Sequence, residues 1–339
     1  EREFANYLNV NHSLILTSGT NALICALKAC DISAGDEVII PTYTFVATAA
    51  SVVNVGATPI LANIDQSLSL SLESIREKIT PRTKAIIAVH MDGVNCNMPE
   101  IVSLAREKGI FVIEDCAQAM GGSFKDKKLG TWGDVGCFSF NEDKILSCGE
   151  GGACVTNDEI LYEKLLNCHD TSALFNPTYQ EKFKNIVPKI GMSMRVSEIS
   201  GAIMRVQLKR LDYILKSLRQ RKDIFSKHLL HLKNGTHILA HDPLGDCATT
   251  ILIAFKNPSE MLKIGKTLNR ESIENIPISM RPAHAFWKWS ELIGLSKNQH
   301  IFYLESIDLI NRTLKIKVDL SLSLKETEAL AQKIVETIG

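Results

Sequence analysis

Charge of either sign is absent in excess from this 339-residue sequence, in which 38 Lys and Arg stand against 38 Asp and Glu. A chain so balanced has no electrostatic footprint for nucleic acid or for an anionic membrane surface. Any anion it binds must be held by a local site. Long hydrophobic runs are also missing. The greasiest stretch, Val38 to Ala62, is broken by Pro41, Asn54, Gly56 and Pro59, and a bilayer span needs about 20 continuous apolar residues. The short basic stretches Lys125-Asp-Lys-Lys128 and Lys216-Ser-Leu-Arg-Gln-Arg-Lys222 read as a solvated turn and a solvated helix face. No internal repeat and no low-complexity tract is present.

The nine cysteines are an odd number with no CxxC pair, and several lie in apolar runs such as Val135-Gly-Cys-Phe-Ser-Phe140. That usage argues against a disulfide framework or a metal site and for reduced, buried thiols, hence for a cytoplasmic protein. The sequence starts at Glu1 without a methionine, so a targeting segment ahead of it stays open.

What is present is an ordinary globular composition, 45% apolar and 22% charged, over a length that suits one large domain and a smaller one. The first half alternates apolar, β-branched runs with helical segments. Strands are expected at Ser13–Thr17, Glu37–Ile40, Pro59–Ala62, Ala85–His90, Ile110–Glu114, Val135–Phe140 and Gly152–Thr156. Most are apolar on both faces, which suits a mostly parallel, seven-stranded α/β sheet covered by helices on each side. Only Asn141 to Gly151 separates the last two, too short for a parallel crossover, so that pair is expected to be antiparallel. A long amphipathic helix from Ser197 through Leu211, Leu215 and Leu218 to Leu230 leaves the large domain. Fresh strand-like runs follow at Thr249–Phe255 and Leu314–Val318, then a helix at Leu324–Ile338. The expected division is a large α/β domain over 1–215 and a smaller α+β domain over 216–339.

Three segments carry chemistry. Ser18-Gly-Thr-Asn-Ala-Leu23 follows a strand and opens a helix. Free amides at such a helix start bind phosphate, although the same triplet also serves as a plain turn and N-cap. Glu114-Asp-Cys-Ala-Gln118 stands at the C-terminal end of an apolar strand, where ligands of open α/β sheets sit. A carboxylate there can hold a protonated pyridine nitrogen, or it can cap the next helix. Lys144 lies in the tight connection between the last two strands, beside Ile145-Leu146 and Gly149-Glu-Gly-Gly152. A lysine at the surface is the ordinary case, but one desolvated beside aromatic residues loses pKa and becomes an amine nucleophile.

These segments, in order, resemble the fold-type I pyridoxal-phosphate enzymes, and among them the DegT/DnrJ/StrS-type sugar aminotransferases. The resemblance runs through Thr17-Ser-Gly-Thr-Asn-Ala-Leu23, Gly35-Asp-Glu-Val-Ile-Ile-Pro-Thr-Tyr-Thr-Phe45, Ile113-Glu-Asp-Cys-Ala-Gln-Ala119, Gly130-Thr-Trp-Gly-Asp-Val-Gly-Cys-Phe-Ser-Phe140, Lys144 and Met194-Arg-Val-Ser-Glu-Ile-Ser-Gly201. It implies a pyridoxal 5′-phosphate cofactor with Lys144 as the Schiff-base lysine and Asp115 paired to the pyridine nitrogen. Gln118 is implied near the ring hydroxyl, Phe45 on the ring face, and Gly19, Thr20 and Ser139 around the phosphate. It further implies a homodimer with a shared active site, in which a Gly-x-Asn-x-Arg segment reaches the neighbouring cofactor. Here that segment is Gly191-Met-Ser-Met-Arg195, with Ser193 in place of Asn; a serine hydroxyl is shorter and has one donor.

The reaction implied is transfer of the amino group of L-glutamate to the carbonyl carbon of a keto-sugar, and no metal is implied. Relatives that dehydrate the sugar carry His where this chain has Lys144. Val89-His-Met-Asp-Gly-Val94 and Cys168-His-Asp170 resemble the subgroup that acts on 8-oxo-3-deoxy-manno-octulosonate, a sugar acid of lipopolysaccharide. A nucleotide-linked keto-sugar is the alternative substrate, and a non-catalytic cofactor- or sugar-binding relative is the alternative class. Arg281-Pro-Ala-His-Ala-Phe-Trp-Lys-Trp289 reads either as pocket lining or as packing of the small domain.

Overall fold

The computed structural model describes residues 1–230 and 232–339. Its main sheet has seven strands: β1 (His12–Leu16), β2 (Glu37–Pro41), β3 (Thr58–Ala62), β4 (Thr83–Val89), β5 (Phe111–Asp115), β6 (Val135–Ser139) and β7 (Gly152–Thr156). They lie side by side in the order β1-β7-β6-β5-β4-β2-β3. The run from β6 to β3 is parallel throughout. β7 is antiparallel to both neighbours, β6 and β1. The expected antiparallel pair is therefore present, but it does not end the sheet, because β1 closes over the far side of β7.

β2, β6 and β7 are buried at every residue, as strands covered on both faces must be. Alternate residues feed two different cores. Val38, Ile40, Ala85, Ile87 and Cys137 face the helices Gly19–Ala29 and Glu159–His169. Ile39, Ile86, Ala88 and Phe138 face Phe4 and Leu8 of the helix Arg2–Leu8 and Ile101 and Leu104 of the helix Met98–Lys108. All nine cysteines are free and all but Cys148 are buried.

The amphipathic segment after Ser197 is two helices, Glu198–Leu208 and Leu211–Leu229. Between them Arg210 N donates to Gln207 O at 2.9 Å, a tightened turn that interrupts the regular ladder. The second helix places Leu211 and Leu215 in one core of the large sheet. Its Leu218, Phe225 and Leu229 enter a third core, with Ile251, Ile253, Leu314, Ile316 and Ile334. That core lies against an antiparallel sheet of Thr236–His237, Thr250–Ala254, Thr313–Lys317 and Ile276–Pro277. No described helix is long and apolar enough to cross a membrane.

The stretch Lys216–Lys222 is not the solvated face that its charge suggests. Arg221 donates to the carbonyls of Leu320 and Leu322, and Arg219 to that of Asp246. Lys222 pairs with the buried Asp246 at 2.7 Å. Long basic side chains here tie the helix to main-chain carbonyls of Asp246, Leu320 and Leu322 and to the Asp246 carboxylate.

The end of β5 is fixed by Glu114. Its fully buried carboxylate accepts from the amides of Gly130, Trp132 and Gly133 at 2.7–2.8 Å and faces the His90 ring at 3.2 Å. Replacing Glu114 with Ala strands three amides and one imidazole, and a loss of about 3–5 kcal/mol is expected. A urea unfolding curve checks it; an unchanged midpoint would show that the loop into β6 does not depend on this carboxylate.

Candidate active site

The C-terminal ends of β2, β4, β5 and β6 open on one side of the sheet, and the expected site residues other than Ser193 lie on the segments around them. At the phosphate end, Ser18 is the N-cap of the helix Gly19–Ala29, its hydroxyl accepting from Asn21 N at 3.1 Å. The amides of Gly19 and Thr20 make no hydrogen bond to the described residues, and the helix dipole favours an anion in front of them. A side chain at position 19 would put its Cβ 2.7 Å from Ser139 Cβ, and one at position 152 would lie 2.3 Å from Ser18 O. Glycine at both places lets the start of the helix, the end of β6 and the start of β7 converge. The resulting cradle has two free amides and the Ser139 hydroxyl as donors.

Asp115 is the last residue of β5 and is buried. Its Oδ2 accepts from Thr48 Oγ1 at 3.0 Å and its Oδ1 from Ala117 N at 3.1 Å. The second contact is an Asx-type turn and caps no helix, since the chain continues from Cys116 to Thr131 through turns and a short hairpin. Burial raises the Asp115 pKa, and its two hydrogen bonds offset that only in part. No basic side chain among the described residues lies within ion-pair distance. A buried acid without a cation suits a protonated pyridine nitrogen.

Gln118 accepts the Asp92 amide on its Oε1 at 3.1 Å. Phe45 presents a ring that is 45% exposed, with the His284 ring 5.2 Å away. Lys144 lies in the turn between β6 and β7, its amide bonded to Asn141 O at 3.1 Å. Asn141 closes that turn through Glu150, at 2.8 Å. Burial lowers the Lys144 pKa; the charges of Asp115 and Asp143 oppose this, and those of Arg281 and Lys315 reinforce it.

Ser193 stands apart from these residues. It is exposed, on a segment fastened to the helix Glu159–His169 and to Thr17 through Met192 N→Cys168 O, Met194 N→His169 O and Thr17 N→Met194 O. No hydrogen bond joins Ser193 to the Lys144 cluster.

Several residues at this site escape a reading of the sequence. Asp92 is fully buried in the single turn after β4, with its backbone at φ 55°. Its carboxylate accepts from Tyr43 Oη at 2.6 Å, from Arg281 Nη1 at 3.2 Å and from Lys315 Nζ. Burial pushes its pKa up, but Lys315 and Arg281 override that and hold it at about 2. Lys315 alternates with Leu314 and Ile316 in its strand, a pattern that sequence alone assigns to a solvated face. In the Arg281–Trp289 segment Phe286 and Trp289 are core residues, while the His284 ring lies 5.2 Å from that of Phe45.

His90, Glu114 and Cys116 are close enough to form a metal-ligating set, but their donor atoms are engaged. His90 Nδ1 accepts Cys96 N at 3.1 Å, and the Glu114 oxygens hold three amides.

Compared with known proteins, the chain matches the profile of the DegT/DnrJ/EryC1/StrS aminotransferase family over residues 1–335. It is 35% identical to GDP-perosamine synthase of Escherichia coli O157:H7 over 295 residues, which is 86% of this chain and 78% of that protein. Against GDP-perosamine synthase of Vibrio cholerae the identity is 37% over 238 residues, 70% of this chain but only 63% of that enzyme's length. The solved structure of an aminotransferase from Psychrobacter cryohalolentis superposes with a TM-score of 0.84 at 28% identity, covering 100% of this chain and 90% of the other. The chain belongs to the DegT/DnrJ/EryC1/StrS aminotransferase family, and its cofactor is pyridoxal phosphate.

Proposed function

We propose that this protein moves the amino group of L-glutamate to the carbonyl carbon of a keto-sugar at the Lys144 site. The observation that carries the reading is the meeting, at one set of strand ends, of a lysine with a lowered pKa, a buried acid without a cation and an amide-lined cradle. Pyridoxal phosphate, when bound, supplies an electron sink for cleavage of the bond to the amine-bearing carbon's hydrogen. The amides of Gly19 and Thr20 and the Ser139 hydroxyl would hold the phosphate. Asp115, oriented by Thr48 and Ala117, would keep the ring nitrogen protonated. Phe45 and Gln118 would bound the ring. Lys144 Nζ would be the attachment amine and would afterwards move the proton at the donor carbon.

The exchange balances in two halves. Glutamate is oxidised to 2-oxoglutarate as its nitrogen departs, and the sugar carbonyl is reduced to an amine-bearing carbon. One water is consumed in the first half and one is released in the second. Ping-pong kinetics follow.

A homodimer completes the site in this reading, with Ser193 of one protomer reaching the cofactor of its partner. The exposed apolar residues Ile199, Ile203 and Val206 on the helix Glu198–Leu208 support a buried partner face. The free cysteines suit a cytoplasmic setting. For the acceptor, the relatives named GDP-perosamine synthase support a nucleotide-linked sugar. The octulosonate reading draws on the segments Val89-His-Met-Asp-Gly-Val94 and Cys168-His-Asp170.

The holoenzyme is expected to absorb at roughly 410–430 nm and to shift to ~330 nm on addition of L-glutamate. Lys144→Ala should abolish both the band and the shift; a variant that still responds would remove Lys144 from the chemistry. In the protein freed of cofactor, the rate of pyridoxal-phosphate capture should rise with pH as Lys144 loses its proton, with a midpoint below that of an ordinary lysine. Asp143→Asn removes a charge that stabilises the ammonium form, so the midpoint should move to lower pH. A move upward would contradict the placement.

A further inference from the structure

Two hydroxyls lead to Asp115 from the turn between β2 and the helix Ala47–Asn54. Thr48 Oγ1 donates to Asp115 Oδ2 at 3.0 Å, and Thr44 Oγ1 lies 2.7 Å from Thr48 Oγ1. Thr44 is 0% exposed and Thr48 1%. At that burial each hydroxyl proton has to be spent on a protein acceptor. The direction of the chain follows from the groups themselves. An ionised carboxylate only accepts, and a threonine hydroxyl carries one proton. Thr48 spends its proton on Asp115 and can therefore only accept from Thr44. Phe45 O is a second acceptor for Thr44, but at 3.4 Å it is the weaker of the two. Hydrogen bonds aligned head to tail in this way polarise one another at low dielectric.

Mutual satisfaction of two buried hydroxyls explains why Thr44 and Thr48 meet. It does not explain why the chain they form ends on a carboxylate that has no cation. Burial raises the Asp115 pKa, while the Ala117 amide and the Thr48 hydroxyl work the other way. Of those two donors the amide is main chain, which almost any residue at position 117 supplies, whereas the hydroxyl is a side-chain choice. Glu114, the neighbouring acid on β5, is settled instead by three loop amides. The turn that brings the hydroxyls also divides its side chains. Thr44 is sealed inside, and the next residue, Phe45, has its ring at the surface.

We propose that Thr44 and Thr48 form a two-hydroxyl chain that keeps the Asp115 carboxylate ionised and fixed in orientation, so that the site selects pyridoxal phosphate with a protonated ring nitrogen. This rests on the pairing of Asp115 with that nitrogen proposed above. Both threonines are positioning residues: sealed from the surface, they act only through the carboxylate. Their order matters, because Thr48 acts on Asp115 directly and Thr44 acts only on Thr48. A site built to pair a polar group discriminates strongly against an analogue that lacks it, and the sharpness of that discrimination depends on how firmly the carboxylate is held.

The test titrates the full chain, freed of cofactor, with pyridoxal phosphate and with its 1-deaza analogue, in which a carbon replaces the ring nitrogen. The analogue keeps the aldehyde, the ring hydroxyl and the phosphate. Wild type should bind pyridoxal phosphate about 100-fold more tightly than the analogue. Thr48→Val removes the hydroxyl at nearly the same shape. It should cut that preference about tenfold, by weakening pyridoxal phosphate and leaving the analogue unchanged. Thr48→Ser, which keeps the hydroxyl, should restore the preference. Thr44→Val should cut it about threefold alone and add nothing in the Thr48→Val background. Equal weakening of both ligands by Thr48→Val is the mark of a merely structural role and overturns the proposal. So does a wild-type preference that Thr48→Val leaves intact, or an added effect of Thr44→Val in the double variant. Equal affinity of wild type for the two ligands overturns the pairing of Asp115 with the ring nitrogen, and this proposal with it.

Discussion

Three side chains from distant parts of the chain converge on the buried carboxylate of Asp92, and the position of the C-terminal region over the sheet depends on that convergence. Tyr43 comes from the end of β2, Arg281 from the segment after the short strand Ile276–Pro277, and Lys315 from the middle of the small sheet. The main chain of the same residue is also engaged. Its carbonyl accepts from Thr249 Oγ1 at 2.8 Å and Thr250 Oγ1 at 3.1 Å. Asp92 adopts a left-handed backbone, which costs a residue with a Cβ roughly 1–2 kcal/mol. Charge-assisted hydrogen bonds of about 1.5–3 kcal/mol each offset that cost.

Neighbouring carboxylates on β5 show how a strand separates structure from chemistry. Successive residues point to opposite faces, so Glu114 turns into the protein and is fully used by loop amides, while Asp115 turns toward the site with no cation of its own. Each is buried, and the difference lies in the partners.

Much of the fold was legible because the physics is local. The β2 run Val38-Ile-Ile40 announces a strand covered on both sides, and the short Asn141–Gly151 link forces the antiparallel turn that carries Lys144. Asp115 at the end of β5 was legible for the same reason, whereas Ser139 at the end of β6 was reached only through the family resemblance. The interior place of β7 was not, because no local pattern says that β1 returns to its far side. Asp92 and Lys315 were out of reach as well. They are 223 residues apart, and each looks ordinary until folding brings them together. Lys222 and Arg221 looked solvated because charge suggests water, whereas their partners lie in segments that nothing nearby foretells.

The helix Leu211–Leu229 has a mechanical consequence. Its first two turns are embedded in a core of the main sheet and the rest in the core of the small one. A rigid rod fixed at both ends transmits rotation, so a tilt of the small sheet levers Leu211 and Leu215 against Gly121, whose added Cβ would lie only 2.4 Å from Leu215 Cδ1. Close packing of that kind resists sliding. The small sheet that carries Lys315 is thereby tied, through one continuous helix, to the packing beneath the main sheet.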